Sequence, residues 1–463
     1  MSQQTATNRP TGMKGFMVMW FGQFISLLGS AMTGFAIPIY IFGETERVQE
    51  LALLGLAFML PLIVFSPIAG TIVDRNSRKK MMIVSDLAAG LTTIVVLLLV
   101  RTGSLEIWHL YITNAINGAF QTFQWPAYSA AISVMVPKEQ YGRANGLVML
   151  AESGSNIFAP VLAGALLGFI GLQGILLIDI VTFVFAISTL FFIFVPDPVR
   201  TVEGQKGKGN FWRESLYGFQ YIWERPSLLG LQLVFFTGNF FSTLAFTAMA
   251  AMILYRTNQD AQVYAWVMSS GAVGGVLGGV LMSAWGGPKQ RVHGVLAGWF
   301  FSGLLSMTLM GIGRIWLVWA ASAFFGNLLV PIINGSNQAI WQAKVAPDVQ
   351  GRVFSVRRLI AWAVIPLANL LVIPLTDGWL EPAMREGGSL VNLFSWLVGN
   401  GPGAGIGILF VFCGMIASLV GLSGYLFAVI RNAETILPDH DELEQVQETA
   451  VADAPTESEP VPA

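Results

Sequence analysis

Apolar residues run along this chain in long blocks, and polar residues are confined to the gaps between them. A helix needs about 20 mostly apolar residues to cross the hydrocarbon core of a bilayer. Blocks of that kind occupy positions 15–42, 51–73, 80–100, 107–136, 142–170 and 173–195. A polar stretch, 196–226, follows, and six more blocks cover 227–255, 261–285, 292–312, 315–343, 353–376 and 403–430. The pattern predicts an all-α integral membrane protein with twelve transmembrane helices in two halves of six. An even number of spans puts both ends on one side. Of 25 Lys and Arg, only Arg47, Arg101, Arg256, Arg314 and Arg385 fall on one side of that plan. The rest lie in the termini, in the loops on the other side, or just inside the adjoining helix ends. Basic residues accumulate in cytoplasmic loops, so both termini are expected in the cytoplasm and the protein in the inner (cytoplasmic) cell membrane.

Composition agrees. Hydrophobic residues make up 54% and charged residues 11%, against about 25% charged in a soluble domain. Residues 1–12 are polar and the apolar run after them is too long for a cleavable signal, so it is expected to stay as the first span. Cys413 is alone and the three histidines are far apart, so neither a disulfide framework nor a metal site is expected. The linker piece Gly204-Gln-Lys-Gly-Lys-Gly209 lacks the spacing of a phosphate-binding loop. No cofactor is expected, and no enzyme motif appears. Phe211, Trp212, Leu216, Phe219 and Trp223 recur at helical spacing beside Arg213 and Arg225, which predicts an amphipathic helix on the membrane surface. After Arg431 come nine acidic residues and no Lys or Arg, read as a disordered tail. The expected division is therefore a tail 1–12, a half 13–195, a linker 196–226, a half 227–431 and an acidic tail 432–463.

Polar residues inside a span are costly unless they face a cavity or a partner. Asn114, Asn117, Gln121 and Gln124 in span 4 fall at i, i+3, i+7 and i+10, an arc of about 80° at 100° per residue. Span 1 carries Gln23, Ser26, Ser30 and Thr33; span 7 carries Asn239, Ser242 and Thr243; span 10 carries Asn327, Asn334 and Asn337. Such stripes line a cavity or bond one helix to another. Trp125 and Trp341 flank them, as ligand-stacking or as packing residues. Three carboxylates lie within spans. Glu152 sits near mid-depth of span 5, either as a proton carrier or paired with Arg143 or a span 8 hydroxyl. Asp179 and Asp86 lie nearer the ends and read first as structural pairing groups, next in line as carriers.

The loop Gly70-Thr-Ile-Val-Asp74-Arg75-Asn-Ser-Arg78-Lys79-Lys80 joins spans 2 and 3. Its glycine permits close helix approach, and Asp74 can pair across an interface, with Arg357 or Arg358 of span 11 as candidates. Val136-Pro137 to Gly142-Arg143 after span 4 is echoed by Ala346-Pro347 to Gly351-Arg352 after span 10. Carried upstream, that register sets Asn117 against Asn327 and Gln124 against Asn334, as a duplicated six-helix unit would. The counterpart loop between spans 8 and 9 keeps Gly278-Gly279 and Lys289-Gln-Arg291 but has no acid between them. In span 5, Gly146, Ser155, Ala159-Pro160 and Ala163-Gly164 keep small residues at the spacings of a glycine-rich row, with Ser or Ala at three of five places; close packing alone is the plainer account.

The Gly70–Lys80 loop resembles the signature loop of the major facilitator superfamily, and the span 5 row resembles that family's antiporter motif. Leu176 to Phe183, Phe211 to Trp223 and Gly399 to Gly405 are similar to the macrolide-efflux, drug:proton antiporter branch. The resemblance covers residues 13–431. It implies secondary transport through a cavity lined by spans 1, 4, 7 and 10, with Asp74, Arg75, Arg78 and Lys79 in the conformational switch. The implied activity is proton-coupled export of an amphipathic organic compound, drug or macrolide. Uptake of a small metabolite on the same fold is a rival, made less attractive by a cavity read as amide-rich and charge-poor; a non-transporting scaffold or sensor is another. The expected partners are the lipid bilayer, a small amphipathic substrate and protons, with no nucleic acid, and the chain is expected to act as a monomer.

Overall fold

The computed structural model describes residues 10–45, 48–198, 201, 210–258 and 260–441. Residues 1–9, Arg47, the Gly/Lys-rich piece 202–209 and the acidic stretch 442–463 lie outside the described residues. Within them all regular structure is helical, as it must be for backbone that crosses lipid with its N–H and C=O groups satisfied internally.

Span 1 is Gly12–Thr45, span 2 Val48–Arg75, span 3 Arg78–Thr102 and span 4 Ile107–Met135. The run Tyr141–Phe192 turns back at Gly171, whose φ of 62° and ψ of −176° suit only glycine, so it forms span 5 (141–170) and span 6 (172–192). Span 7 is Pro226–Arg256, interrupted at Ala248, and span 8 is Ala261–Trp285. Span 9 is Arg291–Ile312, with a π-turn at Ser302–Thr308. Span 10 is Trp316–Lys344, span 11 begins as Gln350–Leu375, and span 12 is Ala404–Leu426. Among the described residues, ten stretches are apolar and long enough to cross a membrane. Dividing the long run at Gly171, and adding span 4, whose amides lower its hydropathy, makes twelve.

The two halves repeat one another in space. Span 2 packs on span 4 and span 3 on spans 4 and 6; span 8 packs on span 10 and span 9 on spans 10 and 12. The halves meet along two main seams, span 2 with span 11 and span 5 with span 8, which exchange under the same duplication.

The linker helix, Phe211–Trp223, lies across the first seam at the end of the bundle where the described chain begins and ends, called the termini-bearing end below. Tyr221 and Ile222 are buried on its inner face, while Leu216 and Trp223 are exposed on the outer. The chain beyond span 12 departs from expectation. Residues 432–441, read above as the start of a disordered tail, form a short helix, Ala433–Ile436, and fold back beneath the bundle. Asp439 pairs with Lys344 at 2.8 Å and Lys138 at 3.1 Å, and Asp441 also pairs with Lys138. Acidity alone suggested disorder; two lysines on opposite halves supply the counter-charges that order the segment.

Candidate functional site

At the termini-bearing end of the first seam, Gly70 lies so close to the backbone of Gly351 and Arg352 that a Cβ would collide with it. That approach lets Asp74 reach the N-terminus of span 11. Its carboxylate accepts N–H bonds from Gly351 (2.8 Å) and Arg352 (3.0 Å), from Arg352 Nε at 3.1 Å and from Arg78 Nη2 at 3.2 Å. The Asp74, Arg78 and Arg352 side chains are all at least 95% buried. The Asp74 partner across the halves is thus Arg352, not Arg357 or Arg358. The last two lie one and a half turns farther along, too deep to reach it. Arg75 points outward and pairs with Glu214 of the linker helix at 2.9 Å, and Lys79 Nζ donates to the Ile193 carbonyl.

The second seam is steric. A Cβ on Gly142 or Gly146 would strike the span 8 backbone at Gly286 or Ser283, so the start of the span 5 row is a contact between halves. The rest of the row serves its own half: Ala159 and Ala163 are buried in one cluster with Met32 and Ala36 of span 1, and a Cβ on Gly164 would lie 4.0 Å from the Phe35 ring. Ser155 is buried with its hydroxyl unpaired. Between the seams a polar plug ties span 4 and span 5 to spans 10 and 11. Asn145 donates to Gln342 (2.7 Å), Gln342 to the Ser129 carbonyl (3.1 Å), and Ser133 to Gln350 (2.5 Å). Sequence reasoning passed over Asn145, Gln342 and Gln350. The span 10 polar stripe continues one turn beyond Asn337, through Gln338 and Gln342, and that was the available signal.

Above this plug opens a cavity of about 430 Å³ between the halves. Glu152, Asn239, Asn334 and Asn337 line it, with Trp125, Trp362, Arg357 and Arg358. Arg358 stands over the Trp362 ring at 4.6 Å and the Trp125 ring at 5.4 Å. The cavity is therefore not charge-poor: it holds two guanidinium groups and one carboxylate. Glu152 makes no hydrogen bond or ion pair to Arg143 or to a span 8 hydroxyl; Arg358 is the cation whose field it feels.

The other amides bond helix to helix. Asn114 donates to the Leu54 carbonyl at 2.9 Å, and Asn117 accepts from the Thr92 hydroxyl at 2.8 Å. Gln23 and Gln124 both donate to Asp86, at 2.8 and 2.9 Å. Asn327 bonds its own helix at Ala323. Gln121 is exposed and is not among the cavity-lining residues. The expectation that these six side chains line the cavity is corrected accordingly: five of the amides bond a neighbouring helix or their own, and Gln121 is exposed away from the cavity. Trp341 is buried beneath the cavity and donates to Asn337 at 3.1 Å, so only Trp125 of the pair lines it. Asp179 accepts from Ser30 and Thr93 at 2.9 and 3.0 Å, a satisfied pairing group.

Comparison with known proteins agrees with this architecture. The family model described as Major Facilitator Superfamily matches residues 19–368. The macrolide efflux protein A of Streptococcus pyogenes is 29% identical over 363 residues, covering 77% of this chain and 88% of that one. The multidrug efflux pump Tap of Mycolicibacterium fortuitum is 23% identical over 374 residues, covering 78% and 89%. Among solved structures, a bacterial homologue of the iron transporter ferroportin in an outward-facing state superposes with a TM-score of 0.65 at 15% identity, over 88% of this chain and 98% of that one. The fucose:proton symporter of E. coli gives 0.63 at 11% identity with the same coverage.

Proposed function

Because the chain belongs to the Major Facilitator Superfamily, we propose that this transporter exports an amphipathic organic compound, drug- or macrolide-like, from the cytoplasm in exchange for protons. The observation that carries the reading is Glu152: a mid-span carboxylate in the cavity between the halves, with no hydrogen-bond partner among the described residues and a cation within electrostatic reach. Asp86 and Asp179 are held by donors from neighbouring helices, which leaves Glu152 the carboxylate freest to gain and lose a proton as the cavity changes sides. The names of relatives such as the macrolide and multidrug efflux proteins support the substrate class. The excess of Lys and Arg at the termini-bearing end supports a cytoplasmic location for that end, and with it the cell membrane as the site of action. In this reading the Asp74 seam is the cytoplasmic gate, closed here while the cavity lies above it, and the Gly70, Arg75, Arg78 and Lys79 positions belong to the gate.

Glu152→Gln removes the titrating proton and keeps the shape. Inverted vesicles carrying it are expected to retain substrate counterflow and to lose accumulation driven by a pH gradient. Retention of both would move the proton site elsewhere, and loss of both would make Glu152 structural or substrate-binding.

Uptake of a small anionic metabolite is a second reading, favoured by Arg357 and Arg358 in the cavity. Accumulation in right-side-out vesicles, absent from inverted ones, would support it over export.

A further inference from the structure

Arg357 is the least compensated charge in the cavity. It is 8% exposed and, among the described residues, forms no ion pair. Its Nη1 donates to Gln338 Oε1 at 3.0 Å, and its guanidinium lies over the Trp341 ring at 4.3 Å. Its Nε is buried without an acceptor, and so is Nε2 of Gln338, itself 9% exposed. Both residues line the cavity. A guanidinium stays charged in any protein environment. Buried donors without acceptors are costly, and here two of them belong to hydrogen-bonded neighbours on one cavity wall. The Nε edge left open is the edge of the guanidinium fork that grips a carboxylate side-on through parallel N–H bonds. Arg358 has Glu152 as counter-charge; the two arginines against one carboxylate leave the cavity net positive. Trp125, Trp362 and Phe235 supply an apolar wall beside it.

We propose that Arg357 and Gln338 form a subsite for an anionic, planar acceptor group, and that the cavity takes amphipathic organic anions, above all carboxylates with an aromatic or apolar body. The inference rests on the reading of this cavity as the transport site and narrows its substrate class. The anion would bring acceptor oxygens to the wall that carries the two orphaned donors, and its body would lie on the tryptophan wall. A ligand bearing only a cation would face Arg357 unshielded.

The test is a charge series on one scaffold: 2-naphthoate, 2-naphthamide and 2-naphthylmethylammonium. Binding is measured by titration calorimetry to the whole protein in phosphatidylcholine nanodiscs, with empty nanodiscs subtracted. Hydrogen bonds to charged groups imply a naphthoate preference over the amide of at least roughly tenfold. Arg357→Gln should abolish the preference and Arg357→Lys, which keeps charge but not the fork, should reduce it. Equal or tighter binding of the amide or the ammonium to the unaltered protein overturns the proposal, as does an unchanged ratio in a folded Arg357→Gln. If that variant aggregates, the ratio in the unaltered protein and its reduction by Gln338→Leu decide. Binding selectivity and transport fail separately. An anion preference without gradient-driven movement overturns the transport reading and leaves the subsite standing. Gradient-driven export of a drug with no anion preference does the reverse.

Discussion

Asp74 and Arg75 are neighbours in sequence and unlike in consequence. Asp74 is sealed beneath four N–H donors from both halves, whereas the Arg75 side chain is half exposed and pairs with the buried Glu214 of the linker helix. Removing one member of a desolvated charge pair costs about 3–5 kcal/mol, enough to redistribute two conformers that differ by a few kcal/mol. Asp74→Asn and Arg352→Gln are therefore each expected to lower transport at least roughly tenfold at near-normal membrane levels. Arg75→Ala should lower transport less than either, because half of the Arg75 side chain already lies in water, although its partner Glu214 is buried. Initial transport rates, normalised to the amount of protein in the membrane, check all three. At this scale the sequence was only partly legible. That Asp74 bridges the halves follows from an acid at a helix end beside a glycine; that Arg352 answers it does not. Arg357 and Arg358 carry the same charge, and choosing among three arginines requires the depth of each on span 11, whose apolar block starts at 353 while the helix itself starts at Gln350.

Helical periodicity states which residues share a face, but not what that face meets. This is why the twelve spans were legible and the cavity lining was not. Asn114, Asn117, Gln121 and Gln124 do share an arc, yet Asn114 meets span 2, Asn117 meets span 3 and Gln124 meets Asp86. An amide is short of partners in lipid, so the nearest helix claims it. The span 5 row divides in the same way, and its two glycines should respond oppositely. Gly146→Leu would drive a side chain into the span 8 backbone and hold the second seam open. A cysteine at Asn334, in a Cys413→Ala background, should then react with an impermeant thiol reagent added from the termini-bearing side, and be protected without Gly146→Leu. Gly164→Ala meets only ordinary contact with Phe35 and replaces glycine within a helix. It should raise thermal stability by up to about 1 kcal/mol and leave transport intact, as read by a melting curve beside the same assay.

Across the whole molecule, the segment after span 12 ties the two halves through Lys138 on one and Lys344 on the other. Burial works against the Asp439 carboxylate, but hydrogen bonds and attraction from Lys344 and Lys138 hold it below its usual range. A carboxyl with a depressed folded-state pKa stabilises above the unfolded value, about 3.9, and loses that contribution as pH falls through the folded value. The melting temperature of the unaltered protein should thus exceed that of Asp439→Asn by a constant margin from pH 8 to about pH 5. The margin should shrink below about pH 4. A margin that grows on acidification would exclude this account. The clamp was invisible in the sequence because nine acids without a Lys or Arg look like a solvated tail until the fold brings two lysines beneath them.

The first two turns of span 11 carry both Arg352, held by Asp74, and Arg357, facing the cavity, only five residues apart on one rigid helix. A helix that short does not bend between them, so the two arginines report a single coordinate. Thermodynamic reciprocity then applies. Any occupant that binds Arg357 tenfold better in one conformation biases the Asp74 contact by about 1.4 kcal/mol, and weakening that contact must alter the occupant's affinity by the same factor. On the proposed reading of the cavity and the Asp74 seam, cargo recognition and gate release become two readings of one displacement. The duplicated half has no such link, since Arg143, two residues into span 5, pairs with no acid among the described residues. The stroke is built with a single charged handle, and the opposite seam can only follow.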